Sequence, residues 1–318
     1  MITIGFSSHQ VEALPFILSQ MERHQVILLE EPPSPNFAGM LNSTISIDNY
    51  IMELDSGFPE FGRQMCVLLR KLRRGGKLIL QVEPYLEKLL QIHELLASGK
   101  TAEEISGRPE FREVYEAEKR ATGALISYYS VSTTGAFSSV VEAVKTFARA
   151  DALRLTLRER LRATAIASLY RPGETVYVEA GYIHYPIYRY LRQELGKVPE
   201  IKVVYPLAPV IKKLKGKRRN MGPGDILTLH YVLHNNVKAE EANLLAARSL
   251  VYIKLIAKEE LFPGKSGTPH IEDEIEVNRL VNRLDLNQCG ELFQRIRLSK
   301  RQQAVEISQE YLRACEKG

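Results

Sequence analysis

The sequence has little that would hold it together from outside the core. Its 318 residues include three cysteines, Cys66, Cys289 and Cys315, too few and too scattered for a disulfide framework. They lie in helical contexts without metal-ligand spacing and read as packing residues. A free-thiol chain suits a reducing compartment, so a cytoplasmic location is expected. No window of about 18 uncharged apolar residues occurs, so neither a transmembrane helix nor a membrane partner is expected. The opening Met1-Ile2-Thr3-Ile4-Gly5 shows no basic segment leading into a long apolar one, so no secretory leader is expected. Glycine and proline are scattered while Leu, Ile and Val recur throughout, which excludes collagen, coiled coil and disorder as the main state. There is no Gly-x-Gly-x-x-Gly for a dinucleotide and no Gly-x-Ser-x-Gly nucleophile elbow. Gly264-Lys265-Ser266 ends like a phosphate loop, but Glu259 stands where the first glycine is required.

What is present is an alternation of short apolar runs with helical patterns. Ile2–Phe6, Gln25–Leu29, Lys77–Val82, Thr175–Glu179 and Lys202–Tyr205 read as strands. Val11–Met21, Phe61–Leu72, Pro84–Ser98 and Pro186–Leu195 carry apolar residues at helical spacing. Arg73-Arg74-Gly75-Gly76 is a helix stop. Strands separated by helices predict an α/β fold: a mainly parallel sheet with flanking helices. The stretch 86–170 reads as a helical insertion. Thr101-Ala-Glu-Glu104 and Ser139-Val-Val-Glu142 look like capping boxes, and Ser139–Leu169 fits one long helix with a break near Arg149–Asp151. Residues 225–318 read as a helical extension packed on a core of residues 1–224.

The ionisable residues at the ends of these runs are the informative feature. The runs lead into Ser7-Ser8-His9, Glu30-Glu31-Pro32-Pro33, Glu83-Pro84, and Glu179-Ala-Gly-Tyr-Ile-His184. In an open parallel sheet the carboxyl ends share one edge, and ligands bind in the crevice outside it. His9, Glu30, Glu31, Glu83, Glu179 and His184 are therefore expected to converge. Such a set suits Zn²⁺, Mn²⁺, Fe²⁺ or Co²⁺; it equally suits metal-free acid–base work by a carboxylate–histidine pair. At any single position a solvated turn explains the same residue.

Gly181-Tyr-Ile-His184, after an apolar run and before an amphipathic helix, resembles the GxxH motif of a superfamily. That superfamily includes the TraB/PrgY pheromone-shutdown proteins, the Tiki Wnt-inactivating proteases, the erythromycin esterases and the ChaN haem-uptake proteins. Gly5-Phe-Ser-Ser-His9 resembles its first-strand Gly…His exit, and Glu30 or Glu31 stands where it has a glutamate. Arg158-Glu159-Arg160, with Ala163 and Ile166, resembles its Arg-containing helix before the GxxH strand. The resemblance covers residues 1–30 and 150–205. Phe6 and Ser7 stand where several members carry an acidic residue. The resemblance implies a hydrolase of the TraB or erythromycin esterase type, or a non-catalytic small-ligand or haem-binding protein on the same scaffold. Its expected catalytic residues are Glu30, Glu31, Glu83, Arg158 and His184. In the metal-dependent version His9, Glu30 and His184 hold a divalent ion (Zn, Mn or Fe), and Glu83 or Glu179 accepts the proton from its water. Arg158 meets developing negative charge or a substrate carboxylate. In the metal-free version His184 is the base and Glu30 orients it.

Other features point less sharply. The formal charge is +5, from 43 Lys and Arg against 38 Asp and Glu. It permits an anionic partner without demanding nucleic acid. The basic run Lys212–Arg219 has no aromatic residue for stacking bases, so it reads as a solvated loop or a lid over an anionic substrate. His230 and His234 are spaced for one helix face, but Tyr231 stands where a zincin needs glutamate. The expected partner is a small molecule or a peptide. The carboxyl-terminal helices leave open a role in protein interaction, including a homodimer.

Overall fold

In the computed structural model, which describes residues 1–54, 57–216, 220–234, 236–262 and 267–315, the apolar runs become five strands. They are β1 (Ile2–Ser7), β2 (Val26–Leu29), β3 (Leu78–Gln81), β4 (Val176–Gly181) and β5 (Ile201–Val204). All neighbours pair in parallel, in the order β3-β2-β4-β1-β5. The fold is α/β with a parallel sheet and flanking helices. The inner strands β1 and β2 are buried throughout, which is why they are near-continuous apolar runs instead of alternating ones.

The helices follow in chain order. α1 (Leu14–Met21) joins β1 to β2. α2 (Phe37–Leu41), α3 (Ile47–Leu54) and α4 (Pro59–Arg74) lie between β2 and β3. α5 (Pro84–Ala97), α6 (Ala102–Ser106), α7 (Pro109–Ser132) and α8 (Phe137–Leu169) lie between β3 and β4. α9 (Ile187–Leu195) joins β4 to β5, and α10 (Ala208–Lys213) follows. The rest are α11 (Pro223–Leu233), α12 (Ala239–Leu255), α13 (Pro269–Asn282), α14 (Leu286–Ile296) and α15 (Arg301–Cys315). Among the described residues, no helix is long and apolar enough to cross a membrane.

Sequence signals explain most of the boundaries. α4 opens on Pro59 and Glu60 and closes on Lys71, Arg73 and Arg74, charges that match its dipole at each end. Gly76, at φ 84°, then turns the chain through the left-handed region. Thr101 forms its capping box with Glu104. Ser139 does not: α8 starts two residues earlier, and Glu142 pairs instead with Lys145 (2.6 Å) and Arg149 (3.2 Å). Nor does α8 break near Arg149–Asp151. It runs on for 33 residues, with i,i+3 pairs Lys145–Glu142 and Arg154–Asp151 supporting the questioned stretch. The basic run is only partly loop, since α10 takes in Lys212 and Lys213. Lys217, Arg218 and Arg219 of the basic run lie outside the described residues, as do residues 264–266.

The chain divides into two units. The first comprises Met1–Tyr115, Thr156–Arg219 and Glu259–Thr268, and holds the sheet. The second comprises Glu116–Leu155, Asn220–Lys258 and Pro269–Gly318. This differs from the expected split at residue 224. Residues 116–155, read as part of an insertion, group with the carboxyl-terminal helices, and 259–268 group with the sheet. The second unit has its own core, in which Ala242, Ala246 and Ala247 of α12 pack with Leu250, Val281, Leu292 and Ile296. Cys289 is buried there, while Cys66 is buried in the first unit and Cys315 is exposed.

Alternation along the strands sorts the sheet's two faces. Ile2, Ile4, Phe6, Val26, Leu28, Val176, Val178 and Ala180 pack on one face with Ala163 and Ile166 of α8 and Ile187 and Leu191 of α9. Thr3, Gly5, Ile27, Leu29 and Tyr177 point to the other, toward α1 and α4. There His24 bridges the Gln20 carbonyl (2.7 Å) and Thr3 Oγ1 (2.8 Å). Gly5 is required on this face because a Cβ would collide with the fully buried Tyr177 hydroxyl. Gly5→Ala is expected to cost about 1–3 kcal/mol, as overpacking of a filled core does. A urea midpoint equal to wild type would refute that close approach.

Candidate functional site

The connections after β1 and β4 leave for opposite faces: α1 covers one and α9 the other. These two strands are neighbours, in the register Gly5↔Glu179 and Ser7↔Gly181. This makes a topological switch point at the carboxyl edge, where open α/β sheets bind ligands. The ionisable strand exits gather at this rim, on both sides of it.

On the α8 side lies a buried ion network. His184, in the 3₁₀ turn Tyr182–His184, points Nε2 at Glu30 Oε1 (2.7 Å) and Nδ1 at the Glu159 carboxylate. Glu30 also accepts from Arg158 Nη2 (2.9 Å) and from the Gly181 amide (2.7 Å). Arg158 Nε donates to Glu83 (3.0 Å), the N-cap residue of α5. Arg162 is fully buried. It donates to the carbonyls of Val82 (2.9 Å) and Glu179 (2.6 Å) and stands 3.6 Å from Glu30. Since β2 lies between β3 and β4, this one guanidinium ties three strand ends together.

The protonation states follow from the contacts. Burial pushes the Glu30 carboxyl up, but His184, then Arg162 and Arg158, outweigh it and hold the group well below the usual carboxylate range. Burial lowers the His184 imidazole, but Glu30 and Glu159 outweigh it and push it up to about 9. At neutral pH His184 is therefore an imidazolium with both nitrogens donating. Burial raises Glu83 against the pull of Arg158, and its Oε1 has no hydrogen-bond partner among the described residues. That oxygen has room for a proton.

On the opposite side stand Glu179, His9 and Glu31. Glu179 Oε2 accepts weakly from the Glu30 amide (3.4 Å), and Oε1 lies 4.0 Å from His9 Nε2. Burial, opposed by His9 and reinforced by Glu31 and Glu30, pushes Glu179 up to about 7. Its side chain is only 5% exposed, whereas that of His9 is 43% exposed, with the ring packed on Phe61 of α4. Glu31 accepts from Gln81 Nε2 (2.8 Å), which also contacts the Tyr50 hydroxyl (3.0 Å). Burial raises Glu31 despite that hydrogen bond.

Of the sequence candidates, Glu30, Glu83, Arg158 and His184 thus meet in one network, while His9 and Glu31 sit across the rim with Glu179. In this arrangement both ring nitrogens of His184 face carboxylates, which favour its protonated form over the free base the sequence reading expected. The residues His9, Glu30 and His184 do not fit a divalent metal as they are placed: His9 stands across the rim from the other two, Glu30 is engaged on both oxygens, and both nitrogens of His184 face carboxylates. Among the described residues, no group of three or more His, Cys, Asp or Glu is arranged to hold a metal ion. The sequence reading did not single out Glu159 or Arg162. Their signal was position: with Leu155, Ala163 and Ile166 they share the buried stripe of α8. His230 and His234 do adjoin, with ring centroids 5.6 Å apart, the first in the last turn of α11 and the second its extended C-cap, and His230 faces Glu241 (3.4 Å).

An uncharacterized protein of Archaeoglobus fulgidus is 31% identical over 293 residues, spanning 92% of this chain and 97% of its own. No family model matches the chain. No solved structure matches it.

Proposed function

The chain belongs to the family of that Archaeoglobus fulgidus protein, and we propose that it is a hydrolase acting on a small acyl compound or peptide, with Glu179 as its proton-transfer group. The resemblance of the strand exits and the GxxH segment to the TraB and erythromycin esterase type supports the reaction class. The observation that carries the reading is Glu179 itself: a buried carboxyl near 7 beside the partly exposed His9, at the switch point. A general base works best with a pKa close to the working pH.

In this scheme Glu179 removes a proton from water as the water oxygen attacks the acyl carbon. The carbonyl oxygen becomes an oxyanion. When the bond to the leaving group breaks, that group takes the proton back from Glu179. Arg158 keeps Nη1 without a partner among the described residues, and its side chain is 21% exposed, so it is the group that meets a substrate carboxylate or the oxyanion. Glu30, Glu159, His184 and Arg162 do not react; they hold the β4 exit rigid. No metal step enters, because the donor set does not fit one.

The test is turnover on a panel of esters, lactones, amides and short peptides. Activity should rise with pH through about 7 as Glu179 ionises. Arg158→Lys keeps the charge but loses the fork, and should raise KM for carboxylate-bearing substrates about tenfold, with neutral ones little changed. Absence of turnover on every acyl class would leave the alternative, a ligand-binding protein on the same scaffold, which the fully engaged His184 favours.

A further inference from the structure

The second unit holds a cavity of about 250 Å³ that plays no part in the rim chemistry. Four aromatic side chains line it, Tyr128, Tyr129, Phe147 and Tyr252, together with two carboxylates, Asp151 and Asp225. They come from α7, α8, α12 and α11. Gly222, the N-cap of α11, admits the Tyr252 ring, since a Cβ there would stand 2.9 Å from it.

The two acids differ. Asp151 is engaged on both oxygens, accepting from Arg154 (2.5 Å) and from Thr228 (3.3 Å). Asp225 bonds back to the Gly222 backbone and has no cationic partner among the described residues; the charge beside it, Asp151, has its own sign. Although close to surrounding protein, it remains exposed to water, as a side chain at the mouth of a concave site is. One negative charge with no cationic partner among the described residues therefore lines an aromatic-walled space. Aromatic faces attract cations through their quadrupole, most strongly when water is displaced.

We propose that this cavity binds a small organic monocation, its ammonium group at Asp225 and its apolar or aryl substituent among the four rings. An inorganic cation would leave the apolar walls unfilled, and an anionic ligand would meet repulsion from Asp225. The volume corresponds to about eight waters at about 30 Å³ each in the liquid, so the ligand has about a dozen non-hydrogen atoms. The inference stands apart from the hydrolase reading and does not need it.

The probe is benzylammonium, titrated into the full-length chain at pH 8 and followed by calorimetry. Saturable one-to-one binding is expected, with benzyl alcohol and benzoate at least tenfold weaker. Asp225→Asn should weaken benzylammonium at least tenfold. Phe147→Leu, which stays apolar and removes one ring, should weaken it severalfold with little change in the thermal transition. Equal binding of benzyl alcohol, no saturation by benzylammonium, or wild-type affinity in either variant overturns the proposal. Should Asp225→Asn fail to fold, the comparison of charged and neutral probes on the wild-type protein decides.

Discussion

Arg162→Met is expected to lower the unfolding free energy by about 3–5 kcal/mol, the usual cost of removing one partner from a buried ionic network. The substitution nearly conserves volume, so little of the loss comes from a cavity. It comes from three acceptors left in a dry place: the carbonyls of Val82 and Glu179, and the Glu30 carboxylate. Neither carbonyl can turn to water, because Arg162 itself is fully buried. Arg162→Lys should recover part of the loss, since a single ammonium reaches one carbonyl but not both. Arg158→Met should cost less than Arg162→Met, because Arg158 is 21% exposed and water can take over part of its role. Urea denaturation with unchanged slope measures all three. A midpoint for Arg162→Met equal to wild type would mean that the guanidinium holds nothing.

Glu179→Gln is expected to reduce turnover by about 10²–10⁴-fold, the range attributed to a lost general base. The same substitution should stabilise the protein at alkaline pH. The folded-state value of Glu179 is about 7 against an ordinary 4.5. Between those values the folded chain keeps a proton that the unfolded chain has released, so stability falls as pH rises through this window. At about 1.4 kcal/mol per unit the loss is on the order of 3 kcal/mol. A glutamine does not titrate, so the variant should match wild type near pH 4 and exceed it at pH 8. His184 adds a loss of the same sign higher up: its contribution is full below 6.5 and disappears as pH passes about 9. Glu30 works in the opposite direction, stabilising above the ordinary carboxylate range and losing that effect only in strong acid. A variant that loses both activity and stability at pH 8 would point to a structural role for Glu179. One that keeps full activity would remove it from the chemistry.

The strands were legible because inner parallel strands must be apolar on both faces, and Val26–Leu29 or Val176–Val178 can hardly be read otherwise. Glu30, Glu83 and His184 were legible for a related reason: polar residues that follow such a run sit at the rim by geometry. What escaped on α8 was Glu159 and Arg162, which helix phase turns inward. Arg158, Glu159, Arg160 and Arg162 are charges within five successive residues. Yet Arg162 is fully buried, Glu159 equally so, and Arg160 is 55% exposed. Only the stripe shared with Ala163 and Ile166 separates them. The state of His184 was equally hidden. Its place after a buried run drew attention to it, but the two carboxylates that face its nitrogens come from the turn after β2 and from α8, elsewhere along the chain. Ser139 misled because a capping box is a local pattern, and the preceding Phe137 already extends the helix.

The cysteines make the protein self-reporting. Each unit encloses one thiol, Cys66 in the first and Cys289 in the second, and burial pushes both up to about 12. Neither forms the reactive thiolate while its surroundings stay closed. Cys315, exposed on the last helix, offers an internal standard for complete alkylation. Timed labelling in rising denaturant, read by mass at each site, would therefore resolve whether the sheet and the helical unit open together or one before the other.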